Sequence, residues 1–150
     1  MAQEAFARDV QVRGAPAEVW ETITDVDRLI SWVSILEDAR TIEELSHYQA
    51  MLADRLGMFS LRADLDVTVD AYKEPVWLRA SAAGEDRQVG SRITVELELR
   101  LDGAGEGTEL RVSGSYGVTG RVATLGASTI RRKADKVLQE FFSNLEAELG

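Results

Sequence analysis

Between residues 61 and 71 apolar and polar side chains alternate without a slip. Leu61, Ala63, Leu65, Val67, Val69 and Ala71 alternate with Arg62, Asp64, Asp66, Thr68 and Asp70. The pattern returns at Ile93, Val95, Leu97, Leu99 and Leu101, and again at Leu110, Val112, Tyr116 and Val118. A period of two sends successive side chains to opposite faces, so these runs predict antiparallel strands with one buried face and one wet face. Turn signals divide them at Glu74-Pro75, Gly84-Glu85-Asp86 and Asp102-Gly103-Ala104-Gly105.

A different period bounds this strand region on both sides. Phe6, Val10 and Val12 read as a first strand, which Gly14-Ala15-Pro16 ends. Pro16 suits the first turn of a helix, where its missing N–H costs nothing. Val19, Trp20, Ile23 and Val26, then Leu29, Ile30 and Val33, follow at helical spacing. Asp25 is a natural N-cap, so two short helices with a break there are expected. Residues 36–56 have mixed periodicity. The chain ends in a stripe of Val122, Leu125, Thr129, Ile130, Lys133, Val137, Leu138, Phe141, Leu145 and Leu149, at three- and four-residue intervals. Gly126 interrupts its first turns, which suggests a close approach to another element.

The order is strand, two short helices, about six strands and one helix of roughly 25 residues. A sheet of that size exposes one apolar face, and only the last helix is long enough to cover it. The economical α+β solution is a strongly curved antiparallel sheet of about seven strands wrapped on that helix. No repeat or linker divides residues 1–150, so one domain is expected. Where curvature outruns the side chains, a cavity is expected between the sheet, the first half of the long helix and the short helices.

Composition narrows the chemistry. The 150 residues contain no Cys and one His, His47, which excludes disulfides, thiolate metal sites, Cys nucleophiles and His-rich metal sites. Seventeen Lys and Arg against 26 Asp and Glu give a net charge of −9, unfavourable for nucleic acid. No apolar run is long enough for a transmembrane helix, and Met1-Ala-Gln-Glu-Ala-Phe has no signal-peptide pattern. A cytoplasmic location is expected, with peripheral contact at the inner membrane face as an option. Asp64, Asp66, Asp70, Glu96 and Glu98 fall on polar strand faces and read as solvated surface. His47 has Glu43-Glu44 as its nearest acids in sequence. The glycines at 103, 105 and 107 precede a strand rather than a helix, which makes them a hairpin turn and not a phosphate loop. No catalytic residue and no metal ligand set is predicted.

The run Val12-Arg13-Gly14-Ala15-Pro16-Ala17-Glu18-Val19-Trp20, with Thr24-Asp25 and Leu29-Ile30-Ser31-Trp32-Val33 after it, resembles the opening of START-like (SRPBCC, Bet v 1-like) helix-grip domains. Residues 61–72 with Glu74-Pro75, then Val89-Gly90-Ser91-Arg92-Ile93, Gly107-Thr108-Glu109-Leu110, and Gly120-Arg121-Val122-Ala123-Thr124-Leu125-Gly126 through Phe141-Phe142, are similar to the CoxG branch, a family of carbon monoxide dehydrogenase subunits. The resemblance spans nearly the whole chain. It implies a helix-grip fold with a hydrophobic cavity, and an accessory role beside a CO dehydrogenase or another respiratory oxidoreductase. Lipid- or quinone-like molecules are the ligands it suggests, with no other cofactor. Longer relatives carry a tail after the domain that could contact the membrane, whereas this sequence stops at Gly150.

A non-enzymatic binder is therefore expected, with Met51, Phe59, Leu65, Leu97, Tyr116, Leu125, Thr129 and Lys133 lining the pocket and the polar ones orienting the ligand. Lys133 lies on the apolar stripe, so it should reach the cavity rim or snorkel. Arg8 shares the face of Phe6 and Val10 and should need a partner. Trp32 and Trp77 could edge the cavity mouth. Residues 121–136 hold five basic residues and one acid in a chain that is otherwise −13. Arg131, Arg132 and Lys136 there mark either a docking face for an acidic partner or anionic lipid, or a solvated helix face. Two other classes share this architecture: a polyketide cyclase/dehydratase-like enzyme using Tyr116, Arg8 or an inward carboxylate, and a protein-interaction adaptor.

Overall fold

The computed structural model describes residues 4–150. Strand β1 (Glu4–Arg13) leads into helices α1 (Pro16–Ile23) and α2 (Val26–Ser31). Six strands follow: β2 (Leu36–Glu43), β3 (His47–Leu56), β4 (Phe59–Lys73), β5 (Trp77–Asp86), β6 (Ser91–Ala104) and β7 (Gly107–Gly120). A 3-10 turn (Arg121–Leu125) then precedes α3 (Ala127–Leu149). All seven strands form one curved antiparallel sheet in the order β1-β7-β6-β5-β4-β3-β2. The architecture is the helix-grip fold.

Local signals account for the helix starts. Pro16 occupies the first turn of α1, and Asp25 caps α2 by accepting from the backbone N–H of Asp27 and Arg28. The two helices carry the chain from the β1 edge of the sheet to the β2 edge. Val19, Trp20 and Ile23 of α1 are buried there with Trp32 and Val33. Gly126 sits between the 3-10 turn and α3 at φ 96. No atom lies within 4 Å of where its side chain would be, so the glycine serves that backbone angle and not a close approach. The expected turn at 84–86 lies three residues later. Gly84 stays in β5, where a side chain would meet Leu65 Cδ2 and the Asp64 carbonyl, each at 2.6 Å.

The alternation sorts the faces as read. Leu61, Ala63, Leu65, Leu99, Leu101, Leu110 and Val112 are buried on the concave side. The mixed stretch 36–56 becomes β2 and β3, with register shifts in β2 and positive φ at Asp38 and Leu45. The pairing of β3 with β4 sets its parity, with Ala50 opposite Leu65, Leu52 opposite Ala63 and Asp54 opposite Leu61. Tyr48, Ala50, Leu52, Asp54 and Leu56 therefore point inward, and Met51 points outward.

One buried carboxylate organises an end of the sheet. Asp86, 4% exposed, accepts from the backbone N–H of Arg62 (2.6 Å), Gln88 (2.9 Å) and Val89 (3.0 Å). Burial alone would raise its pKa, but these three donors outweigh burial and hold it below the ordinary carboxylate range. Its stabilisation is thus present above the unfolded-chain value of about 3.9 and is lost as the pH falls through the lower folded value. Asp86→Ala should lower the urea midpoint by the equivalent of about 1–3 kcal/mol, with Asp86→Asn intermediate. The alanine variant should also lose the part of the wild-type acid sensitivity that lies below about pH 4.

Candidate functional site

The concave face is built of rungs, each a line of paired residues running across the strands. One rung, Ala50, Leu65, Gly84, Ile93 and Val118, is buried throughout. Another is buried at Leu78, Leu99 and Val112, with exposed Tyr72 and Arg8 at its two ends. Between them lie two rungs that are not. The first is Val67, Ala82, Val95, Tyr116 and Glu4, continued on β3 by buried Tyr48; the second is Val69, Ala80, Leu97, Gly114 and Phe6. All ten residues are only half-buried, although eight of them lie on the inner strands β4 to β7 and only Glu4 and Phe6 on the β1 edge.

Helix α3 repeats this profile. Ile130 is buried, Lys133, Ala134, Val137, Leu138 and Phe141 are half-buried, and Phe142 and Leu145 are buried again. The core is correspondingly split. One cluster joins Val10, Trp20, Leu99, Leu110, Phe142 and Leu145; the other joins Leu61, Ile93, Val118, Val122 and Ile130. The half-buried rungs and the half-buried stretch of α3 face each other between two buried ends, and the space between them is the candidate groove. Ala80 and Ala82 keep it wide by withholding side-chain volume, whereas the position a Gly114 side chain would take is filled by the Glu96 carbonyl and the Phe6 ring.

Polar contacts fix α3 over this groove at each end. Toward its N-terminus, Arg131 pairs with Glu4 of β1 at 3.0 Å, and Lys133 Nζ pairs with Asp54 Oδ2 of β3 at 2.8 Å. These residues leave the helix on opposite sides, so they tie it to both flanks of the sheet. Toward its C-terminus, Trp32 Nε1 donates to Glu148 at 2.7 Å and Asn144 donates to the Trp32 carbonyl at 2.9 Å. Ser34 N–H donates to Glu140 at 2.9 Å. Arg8 faces inward, 4.7 Å from the Phe142 ring centroid, and reaches Glu146 at 3.4 Å.

The anticipated lining residues fall in different places. Leu97 and Tyr116 lie in the open rungs, and Lys133 lies opposite them on α3. Leu65 is in the adjoining buried rung, its methyl against Gly84. Phe59 and Leu125 pack at the closed end beside Val122, and half-buried Thr129 lies in the first turn of α3. Met51 is a correction. It lies opposite Asp64 on the convex face, in a shallow cleft with Arg62, Asp66 and Glu85, because β3 takes its parity from β4. Trp32 is buried and hydrogen-bonded to α3, so it forms no cavity mouth. Trp77 stacks with Arg79, 5.4 Å from the guanidinium. His47 meets Asp66 of β4 at 2.9 Å, not Glu43 or Glu44.

Several groove residues escaped the sequence reading: Phe6, Val95, Val137, Leu138 and, above all, Asp54. The signal for Asp54 was the position of Lys133. A cation on an apolar stripe requires an anion on whatever the stripe covers.

Tyr116 is the most distinctive polar group in the open rungs. Burial, reinforced by the negative charges of Glu4 and Asp135 and partly offset by Arg131, raises its pKa above the ordinary tyrosine value. The phenol therefore stays protonated at neutral pH, able to donate a hydrogen bond and unsuited to act as a base. Among the described residues, no group of three or more His, Cys, Asp or Glu is arranged to hold a metal ion, and no helix is long and apolar enough to cross a membrane.

The model of the CoxG family, the G-type subunits of carbon monoxide dehydrogenase, matches residues 9–150. The chain belongs to the CoxG family. No curated protein matches it in sequence. Solved structures share the fold of this CoxG-family chain at low identity. A conserved protein from Geobacillus kaustophilus is 22% identical with a TM-score of 0.82, covering 98% of this chain and 94% of its own. Mll3558 from Rhizobium loti is 14% identical with a TM-score of 0.71, covering 99% and 98%. Ara h 8.0201 is 11% identical with a TM-score of 0.65, covering 98% and 97%.

The Lys133–Asp54 pair is open to a double-mutant cycle. Asp54 is 15% exposed and Lys133 33%, so solvent screens the pair only in part. Lys133→Met and Asp54→Asn should each destabilise, and the double variant should recover part of the loss. A coupling of about 1 kcal/mol is expected from urea unfolding of the four proteins.

Proposed function

We propose that this CoxG-family protein holds an apolar, lipid- or quinone-like molecule in the groove under α3 and performs no chemistry on it. The supporting observation is the pair of half-buried rungs facing a half-buried stretch of helix. Apolar surface in that position gains about 25 cal/mol per Å² when a ligand removes it from water, before ordering costs. Tyr116, on the sheet wall with Leu97, and Lys133, on the α3 wall, are the polar groups placed to orient such a ligand. Leu65, Leu125, Phe59 and Thr129 limit the space from the closed end.

The family relation supports a role as an accessory or carrier protein beside a CO dehydrogenase-type or other respiratory oxidoreductase. An enzyme of the cyclase/dehydratase type is the competing reading, favoured only by the inward Arg8 and the protonated Tyr116. Both arginines nearest the groove, Arg8 and Arg131, are already engaged by carboxylates. That arrangement suits holding the helix better than moving protons.

Native mass spectrometry of the purified protein, followed by titration with a panel of quinones and lipids, tests this reading. A protein that arrives empty and takes up none of them overturns it. Ala82→Leu provides the structural control, because the added side chain projects into the open rungs. It should leave the melting temperature unchanged or higher, since half-empty space is filled, and should weaken uptake at least about tenfold. Turnover of a poly-keto substrate that is lost in Tyr116→Phe would favour the enzyme instead.

A further inference from the structure

Three chain reversals meet at one end of the sheet: the β3–β4 hairpin tip at Gly57 and Met58, the β5–β6 turn at residues 87–90, and the 3-10 turn after β7. They are in contact. A side chain on Gly57 would sit 3.2 Å from Leu125 Cδ2, and the Arg121 guanidinium lies 5.8 Å from the Phe59 ring centroid. The Arg121 Cδ lies 3.8 Å from the side-chain position of Gly90.

Met58 projects from this end and is 82% exposed, the most exposed large apolar side chain described. Exposed cations surround it. Arg55, Arg87 and Arg121 belong to the three reversals, and Arg132 and Lys136 extend the group along the outer side of α3. Among the described residues, no carboxylate forms an ion pair with any of these five. Of the nearby acids, Asp54 is engaged by Lys133, Glu85 by Arg92 and Asp86 by backbone N–H groups; exposed Asp135, between Arg132 and Lys136, acts on Arg131 and Tyr116 and leaves the group basic by a wide margin. Arg131 leaves this group, because Glu4 holds it against the groove. The far turns carry the opposite sign, with Glu43, Glu44, Glu74 and Glu106.

We propose that this end seats on an anionic lipid surface, with Met58 entering the interfacial layer and Arg55, Arg87, Arg121, Arg132 and Lys136 meeting the headgroup phosphates. Each basic residue near such a surface adds to the attraction, which fades over a Debye length of about 8 Å. A 14-residue strand such as β6 spans roughly 45 Å, so the acidic far turns lie several Debye lengths away and do not cancel it. The net charge of −9 is thus no obstacle, since the surface meets only the basic end. A protein partner fits less well. Standard interfaces bury about 800 Å² per side around an apolar centre, whereas this end offers one protruding methionine among flexible cations.

Vesicle co-sedimentation of the intact chain tests the proposal, using phosphatidylcholine with and without about one-third phosphatidylglycerol. The intact protein should bind the anionic vesicles at low salt, release as salt rises, and ignore pure phosphatidylcholine. The triple variant Arg87→Glu, Arg132→Glu, Lys136→Glu should weaken binding by more than about tenfold. Met58→Asp should weaken it as well, and Met58→Leu should not. None of these residues lies in the open rungs, so ligand uptake and the melting temperature should stay at wild-type values; this separates failure here from failure of the groove reading. An intact protein that stays in the supernatant with anionic vesicles at low salt overturns the proposal. So does binding that is indifferent to both sets of substitutions, or an acidic protein partner lost in the triple variant while vesicles are ignored throughout.

Discussion

One helix has to cover the concave face of a curved seven-stranded sheet. A 23-residue helix is roughly 34 Å long, and the sheet beneath it curls. The two surfaces close on each other at both ends and stay apart between them. The split core follows from this, with one cluster around Leu110 and Leu145 and another around Val122 and Ile130. Additional bulk from the sheet could have filled the gap, but Ala80 and Ala82 do not supply it.

The ties that hold α3 in place are unequal at its two ends. The C-terminal half is anchored by burial of Phe142 and Leu145 and by hydrogen bonds to Trp32 and Ser34. The N-terminal half has Ile130 and two ion pairs, Arg131–Glu4 and Lys133–Asp54. Ion pairs that remain in partial contact with water hold less strongly than buried aromatic packing. The half of the helix nearest the basic end is therefore the easier half to displace, which places access to the groove beside the surface proposed to meet lipid.

Much of the fold was legible because alternation and helical spacing are local. Residues 61–69 declare their faces without help, although a register shift after Val69 then pairs Ala71 with outward Arg79; Asp25 and Pro16 mark helix starts by their own chemistry. The third strand was not legible for a related reason. Its inward set includes Asp54, so the apolar pattern is broken at the position where the interior needs a charge. Met51 looked inward on hydrophobicity alone, and pairing of Ala50 with Leu65 turned it outward. Gly126 was legible as a break, although its cause is a backbone angle and not a close neighbour.

By itself the sequence determined which strands have a wet face, where the helices begin, and which chemistries the chain lacks, because each follows from residue type and short-range spacing. It also showed that positive charge is concentrated in residues 121–136. Only the tertiary structure decided which apolar residues stay half-buried, since that depends on how far a helix stands from strands distant in sequence. It also decided which cations are spent on internal pairs, Arg131 and Lys133, and which remain facing out, Arg121, Arg132 and Lys136. Pairing requires a partner brought in from another strand, and no local pattern encodes that distance.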